Sequence, residues 1–302
     1  MSGEIRVLIT GGTGLLGKAL LETSPEGLEV RGTYYQNPPP VEWARWFTPL
    51  DLQQPSSVES AFQWARPTLV IHTASVGSVD EAERFPEQVR RINVEGTRRI
   101  GEACRLSGSG LIYISSNAVF DGDHPPYSEE SKTHAVNQYG RFKIEAEQWV
   151  SGSGLDPLIV RPILLYGWPF PGGRSNAVTR WLNHLEKGEP VQVAEDLISM
   201  PLRAVDCAQA LWEAVRRRCR GVLHLAGPEK VSLAEFARET ARIFGCEEGL
   251  VHPVPNRQLG LAAARPRDTS FLLDRMKKEL GLTPMGPHEG LNWMYKSRAL
   301  VH

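Results

Sequence analysis

The sequence is poor in cysteine, carries no surplus of charge and contains no apolar run long enough to span a bilayer. Its four cysteines, Cys104, Cys207, Cys219 and Cys246, are scattered, with no CxxC and no paired His/Cys cluster. That spacing argues against a disulfide scaffold or a structural zinc site and points to free thiols in a reducing compartment. The 34 basic and 35 acidic side chains leave a net charge of −1. Proteins that coat nucleic acid or bind acidic membranes carry a basic excess, so neither class of partner is expected. No basic and apolar leader opens the chain. A strand-like run, Glu4 to Thr10, begins almost at once, and a soluble cytoplasmic protein is expected. His124, His224 and His252 lack ligand spacing with other His, Cys or acidic residues, and no metal is expected.

What is present is a chain of 302 residues, 41% hydrophobic and 23% charged, enough for a sizeable core. Its length suits one large domain with a smaller appendage. Strand-like runs at 6–10, 29–34, 68–73, 110–115 and 157–161 alternate with amphipathic segments at 14–23, 56–65, 86–107 and 137–150. Strict alternation predicts an α/β fold, a parallel sheet covered on both faces. Leu69-Val-Ile and Leu111-Ile-Tyr-Ile are continuously apolar, as strands buried on both faces are. After Leu165 a loop rich in Pro and Gly (167–173) intervenes. Helices are then predicted near 176–187, 205–218 and 232–244, and strands near 190–194 and 221–226. Ser232 with Glu235 three residues on predicts a capping box for the last of these helices.

Thr10-Gly-Gly-Thr-Gly-Leu-Leu-Gly17 follows the first strand and opens the first helix. Glycines there allow a tight turn and a close approach to a pyrophosphate, and the helix N-terminus offers free N–H groups to it. This context predicts dinucleotide binding. The second strand ends Val30-Arg-Gly-Thr-Tyr-Tyr-Gln-Asn37, with no carboxylate before Glu42. The acidic residue that would accept a ribose 2′-hydroxyl is missing. NADP is therefore the expected cofactor, with NAD permitted.

Tyr139-Gly-Arg-Phe-Lys143 sets a phenol and an ammonium on one helix face, in a chain with no lysine between Lys18 and Lys132. Ser115-Ser-Asn-Ala-Val-Phe-Asp-Gly122 lies at the carboxyl end of the fourth recognisable strand, the edge where open parallel sheets bind ligands. A hydroxyl (Ser116), a phenol (Tyr139) and an ammonium (Lys143) are the parts needed to protonate a carbonyl while hydride arrives.

With these motifs the sequence resembles the extended short-chain dehydrogenase/reductases, and within them the dTDP-4-dehydrorhamnose reductase branch, which also includes the regulatory β subunit of methionine adenosyltransferase. The resemblance covers nearly the whole chain. Its carriers also include Asp51-Leu52, Val70 to Ser75, Val79 to Glu83, Asn93-Val94, Arg161-Pro162 and Arg265-Pro266. It implies a Rossmann-type, doubly wound domain over 1–165. A small, discontinuous C-terminal substrate domain would occupy 166–302, with 201–226 returning to the first. Ser116, Tyr139 and Lys143 would be catalytic. Gly11, Thr13, Gly14, Leu15, Leu16, Gly17, Tyr34, Asp51, Leu52, Ala74, Ser75, Ser115 and Pro162 would join Tyr139 and Lys143 around the cofactor. Val79, Asn117, Ala118, Trp168, Arg203 and Arg265 would face the substrate. In many relatives the helices over 87–107 and 137–150 pair across a homodimer.

The sequence also departs from this branch. Asn117-Ala118 stands where its reductases have Asp-Tyr, Glu81 replaces a lysine, Asp196-Leu-Ile-Ser199 replaces Asp-Gln-Xaa-Gly, and Asp268 replaces Asn. The expected function is NADP(H)-dependent reduction of a keto-sugar, with a nucleotide-linked 4-keto-6-deoxyhexose as substrate. A nucleotide-sugar epimerase and a non-catalytic NADP-binding regulatory subunit are the alternatives. A dehydratase is disfavoured because Asn117-Ala118 supplies no acid–base pair. Trp168 and Phe170 form either a lid or a packing anchor. Arg203, Arg265 and Arg267 pair either with a diphosphate or in salt bridges.

Overall fold

The computed structural model describes residues 5–298, so Glu4 lies outside the described residues. Seven strands form one all-parallel sheet: β1 (Arg6–Thr10), β2 (Glu29–Tyr34), β3 (Phe47–Pro49), β4 (Leu69–His72), β5 (Gly110–Ile114), β6 (Leu158–Pro162) and, much later, β11 (Gly221–Leu225). Their order is β11-β6-β5-β4-β1-β2-β3. Strand order reverses between β1 and β4, which opens a crevice at their carboxyl ends.

Alternate side chains feed two apolar layers. Val7, Ile9, Ile71, Ile112 and Val160 face α1 (Leu15–Glu22), α8 (Ala204–Arg216) and α10 (Asp274–Leu280). Leu8, Val70, Leu111, Tyr113 and Ile159 face α2 (Pro55–Ala65), α5 (Gly96–Ser107) and α6 (Gln138–Ser151). Both faces are covered, the doubly wound α/β arrangement predicted by the alternation.

A third apolar cluster joins α7 (Ala177–Leu185), α9 (Leu233–Ile243) and α11 (Pro287–Ser297), with Trp181, Phe236 and Leu291 at its centre. Two short strands there, β8 (Val191–Ala194) and β13 (Val251–Val254), run parallel. There are also four two-residue strands, in chain order β7 (Leu165–Tyr166), β9 (Ile198–Ser199), β10 (Leu202–Arg203) and β12 (Val231–Ser232). Ser232 and Glu235 form the capping box at the start of α9, each side chain bonded to the other's backbone N–H.

Two differences from the sequence reading matter. The edge strand β3 has only three residues, too few for a period to show. The long helix predicted over 86–107 is broken: α4 (Pro86–Arg90) and α5 flank a π-helical turn, Arg91–Glu95, and a separate α3 (Val79–Arg84) precedes them. The wider turn lets Asn93 reach across to the loop after β4, accepting from Val76 N at 2.8 Å and donating to Val76 O at 3.0 Å.

His72 and His224 lie fully inside this fold. Burial, and then the charge of Lys143, lowers the His72 pKa to about 3. Burial, and then Arg161, does the same to His224, also to about 3. Unfolded imidazoles titrate near the ordinary value of about 6.5, so below that pH the unfolded chain binds protons that the native one refuses. Their stabilisation is complete above pH ~6.5 and is lost as pH falls towards 3. Urea unfolding is expected to show about 2.5 kcal/mol less stability at about pH 5.5 than at about pH 7. A flat profile over that interval contradicts neutral burial of the two rings.

Candidate active site

The glycine turn is built for close backbone approach. Gly11 has φ +69°, and a Cβ there would lie 2.8 Å from Ala74 Cα. A Cβ on Gly17 would lie 2.4 Å from Gly11 O, so only glycine lets α1 pack this tightly against its own entry turn. Thr33 Oγ1 accepts from Gly11 N at 3.1 Å, and Thr10 Oγ1 from Ala74 N at 3.2 Å. These bonds tie the ends of β1, β2 and β4 together. The turn 11–17, Tyr34, Asp51-Leu52, Ala74-Ser75 and Pro162 therefore lie at or just beyond the carboxyl ends of the central strands. Such an edge suits a dinucleotide: α1 presents its free N–H groups to a pyrophosphate. No carboxylate stands at the end of β2. Arg31 is occupied elsewhere, lying over Trp64 and pairing with Glu29 at 2.5 Å.

Beyond β5 the chain turns through Asn117–Val119, capped by Ser116 Oγ, which accepts from Ala118 N at 3.1 Å. The turn seats directly on α6. Asn137 caps that helix by accepting from Gly140 N at 2.9 Å, and Gly140 packs on the Ala118 carbonyl. Tyr139 is buried in a small cluster with Ala82, Val89, Val94, Ala118 and Phe142, against which Val76 and Val79 pack. Burial raises the phenol pKa, while a hydrogen bond with Ser116 and the charge of Arg174 oppose the rise. Lys143 is buried one turn on, donates to Ile114 O at 2.9 Å, and lies 5.0 Å and 5.8 Å from the centres of the Tyr113 and Tyr139 rings. Burial lowers its pKa to about 8, opposed by Glu147. Hydroxyl, phenol and ammonium thus meet at one place.

The remaining sequence candidates divide. Asn117 donates to Thr269 Oγ1 at 2.6 Å, and Ala118 and Val79 border Tyr139. Arg265 pairs with Asp80, in the first turn of α3, at 2.6 Å. The Ser115 hydroxyl is buried and turned towards Glu147, and its backbone N–H donates to Val160 O at 2.7 Å. Trp168 and Arg203 are placed elsewhere. Trp168 packs edge-on against Phe244 and donates to Met294 O at 2.9 Å. Arg203 is buried and forked onto Asp206, with its guanidinium 4.6 Å from the centre of the Trp293 ring. Both line a cavity of about 190 Å³ between α1 and α11, away from Tyr139. Phe170 is a buried anchor against Trp43.

Sequence reasoning missed three groups. Arg174 lies beside Gly77, where a Cβ would meet its Nη1 at 3.1 Å, and within electrostatic reach of Tyr139. Arg180, on α7, lies within reach of Arg174, Arg265 and Asp80. Asn137 ties the 263–269 segment to α6 by donating to Ala264 O at 2.9 Å. The two arginines sit in and after a glycine-rich loop with no periodic or spacing signal.

The chain matches the family described as RmlD substrate binding domain over residues 5–299. It is 32% identical to the dTDP-4-keto-6-deoxy-D-glucose reductase of Streptomyces niveus, over 93% of this chain and 92% of that protein. To methionine adenosyltransferase 2 subunit beta of Xenopus laevis it is 28% identical, over 91% of this chain and 81% of that one. The crystal structure of dTDP-4-dehydrorhamnose reductase from Bacillus anthracis in complex with NADP superposes with a TM-score of 0.85 at 29% identity. That match covers 97% of this chain and 99% of the other.

The seat of Tyr139 depends on Gly140, where a Cβ would lie 2.0 Å from Ala118 O and 2.7 Å from the Ala135 Cβ. Gly140→Ala is expected to cost about 1–3 kcal/mol, read as a lower Tm. Gly152→Ala, whose Cβ would meet nothing nearer than 3.5 Å, is the matched control and should melt close to the wild type. Equal melting of the two variants contradicts the close seating of α6 on the turn.

Proposed function

The chain belongs to the RmlD substrate binding domain family, and on that premise we propose that it reduces the ketone of a nucleotide-linked 4-keto-6-deoxyhexose, with Tyr139 as proton donor. The enzyme is an NAD(P)-dependent oxidoreductase, and NADP is its cofactor. The observation that carries the reading is the meeting of Ser116, Tyr139 and Lys143 at the carboxyl edge of the sheet, beside the glycine turn.

When bound along that edge, the reduced cofactor supplies a hydride. The chain's own residues supply the rest. Burial keeps the Tyr139 phenol protonated at neutral pH, as a proton donor must be. As the proton leaves, the Ser116 hydroxyl and the Lys143 and Arg174 cations offset the growing charge on the phenol oxygen. Ser116 also holds the carbonyl oxygen in line with the phenol. Val79 and Ala118 give the ring an apolar seat next to Tyr139.

The guanidinium groups of Arg174 and Arg180 gather with Arg265 around the mouth, beside the carboxylate of Asp80. This surplus of positive charge supports a diphosphate-bearing substrate, since planar guanidinium groups bind phosphate oxygens in pairs. A net charge of −1 requires phosphate recognition to be local in this way. The free cysteines fit a reducing, cytoplasmic setting. No helix among the described residues is long and apolar enough to cross a membrane.

Tyr139→Phe is expected to lower kcat/KM for a dTDP-4-keto-6-deoxyhexose by roughly 10²–10⁴-fold while leaving NADPH affinity in place. Arg265→Ala should raise KM about tenfold with little effect on NADPH binding. The measurement is NADPH oxidation across a panel of keto-sugars, with product analysis in its absence. NADPH binding without oxidation by any of them would favour a regulatory subunit. Interconversion of sugars without added nicotinamide would favour an epimerase.

A further inference from the structure

Beneath α6 a row of ionisable side chains crosses the sheet: His72 on β4, Lys143 over β5, Glu147, Arg161 on β6 and His224 on β11. All five are buried. Both histidines are neutral at physiological pH, so the charged part is plus, minus, plus. Glu147 holds the centre. It is one helical turn beyond Lys143, on the face that carries Tyr139, and accepts from Arg161 at 2.9 Å and 2.6 Å and from the Ser115 hydroxyl. Arg161 reaches on to His224 at 3.3 Å, away from Lys143. The ion pair therefore turns its negative end towards the ammonium.

Lys143 has little else to keep its proton. Among the described residues, its hydrogen bond goes to the Ile114 carbonyl, and the rings of Tyr113 and Tyr139 lie close by. On β4, His72 is neutral and bonded to Thr10 Oγ1 at 2.7 Å and to Thr97 Oγ1, on α5, at 3.1 Å. Among the described residues, Glu147 is the carboxylate whose charge acts on Lys143. A fully buried ammonium without a counter-charge gives up its proton.

We propose that Glu147 is a positioning residue for the reaction: held by Arg161 and Ser115, it keeps Lys143 charged beside Tyr139. The inference rests on the reading of Tyr139 and Lys143 as the proton-delivery pair. A structural ion pair alone would stabilise α6 on β6 and leave the Lys143 titration where it is.

The test is the titration of Lys143 in the apo protein, followed by NMR of lysine carrying ¹³C at Cε, its signal identified by its loss in Lys143→Arg. Removing both partners, Glu147→Met with Arg161→Met, avoids leaving a lone buried charge. In that variant Lys143 should titrate roughly one pH unit lower than in the wild type, and the alkaline limb of kcat/KM should move down with it. Glu147→Asp keeps the charge and should hold the titration near its wild-type position. An unmoved titration in the paired variant overturns the proposal, as does a drop in Glu147→Asp as large as that of the paired variant. A titration that moves as expected in a protein that reduces no keto-sugar leaves the role of Glu147 standing and removes the reading of function instead.

Discussion

Backbone meets backbone at three places along the carboxyl edge of the sheet, and the site hangs from those contacts. Gly11 lies against Ala74, Gly17 against the Gly11–Gly12 turn, and Gly140 against the Ala118 carbonyl. At each, a single methyl group would overlap neighbouring backbone atoms. The first two bring β1, β4 and α1 close enough to form one shallow cradle of N–H groups. The third sets the depth of α6, and so decides how near Tyr139 comes to the turn that carries Ser116. If α6 were withdrawn by a methyl radius, the phenol would move away from the Ser116 hydroxyl.

Seating α6 this deeply has an electrostatic consequence. The helix that brings Tyr139 inward also buries Lys143 and Glu147, and each buried charge loses its hydration. Arg161 answers Glu147 with two hydrogen bonds, and the aromatic stack of His224 on Phe271, at 3.9 Å between ring centres, closes the far side. Phe120 lies 5.2 Å from the guanidinium and stacks in turn on Tyr127. The structure contains a second forked pair, Arg203 with Asp206, equally buried. That pair lies at the start of α8 with no catalytic group beside it. The difference shows that a buried ion pair is not by itself a sign of chemistry. What distinguishes Glu147 is its neighbour, an ammonium whose counter-charge among the described residues is Glu147.

The parts of the site legible in the sequence are those whose residues are close along the chain. The glycine turn, the Tyr–Lys spacing, the run Ser115-Ser116 after an apolar strand and the Ser232–Glu235 box each fit within eight residues, and each carries a local signal. What escaped joins distant segments. Glu147 meets Arg161 across the space between α6 and β6, and Asn93 bonds to Val76 only because a π-helical turn rotates it there. Arg174 and Arg180 reach the mouth from a glycine-rich loop and the helix after it, where composition says loop and nothing more. Trp168 and Arg203 show how far a suggestive residue type can lie from Tyr139. An aromatic and an arginine in suggestive positions lie on the wall of a different cavity, because packing against α11 gives their apolar surface more to cover.

The two sides of the site are held by different means, and the departures from the reductase pattern follow that division. Ser116, Tyr139 and Lys143 stand on β5 and α6, elements fixed by the sheet. The facing segment, 263–269, is irregular and is tied down by long-range contacts, among them Arg265 to Asp80, Ala264 to Asn137 and Thr269 to Asn117. Changing residues of this irregular segment leaves the sheet and α6 where they are, because neither is built from it. Asn117 is itself one of the ties, Ala118 adjoins Tyr139, and Asp268 accepts from Ser270 N and pairs with Lys230 at 3.2 Å. Glu81 is exposed on α3 and Asp196 braces Asn256. None of these replacements removes a group that moves a proton. On the proposed reading, these replacements bear on which ketone is reduced and leave Ser116, Tyr139 and Lys143 in place.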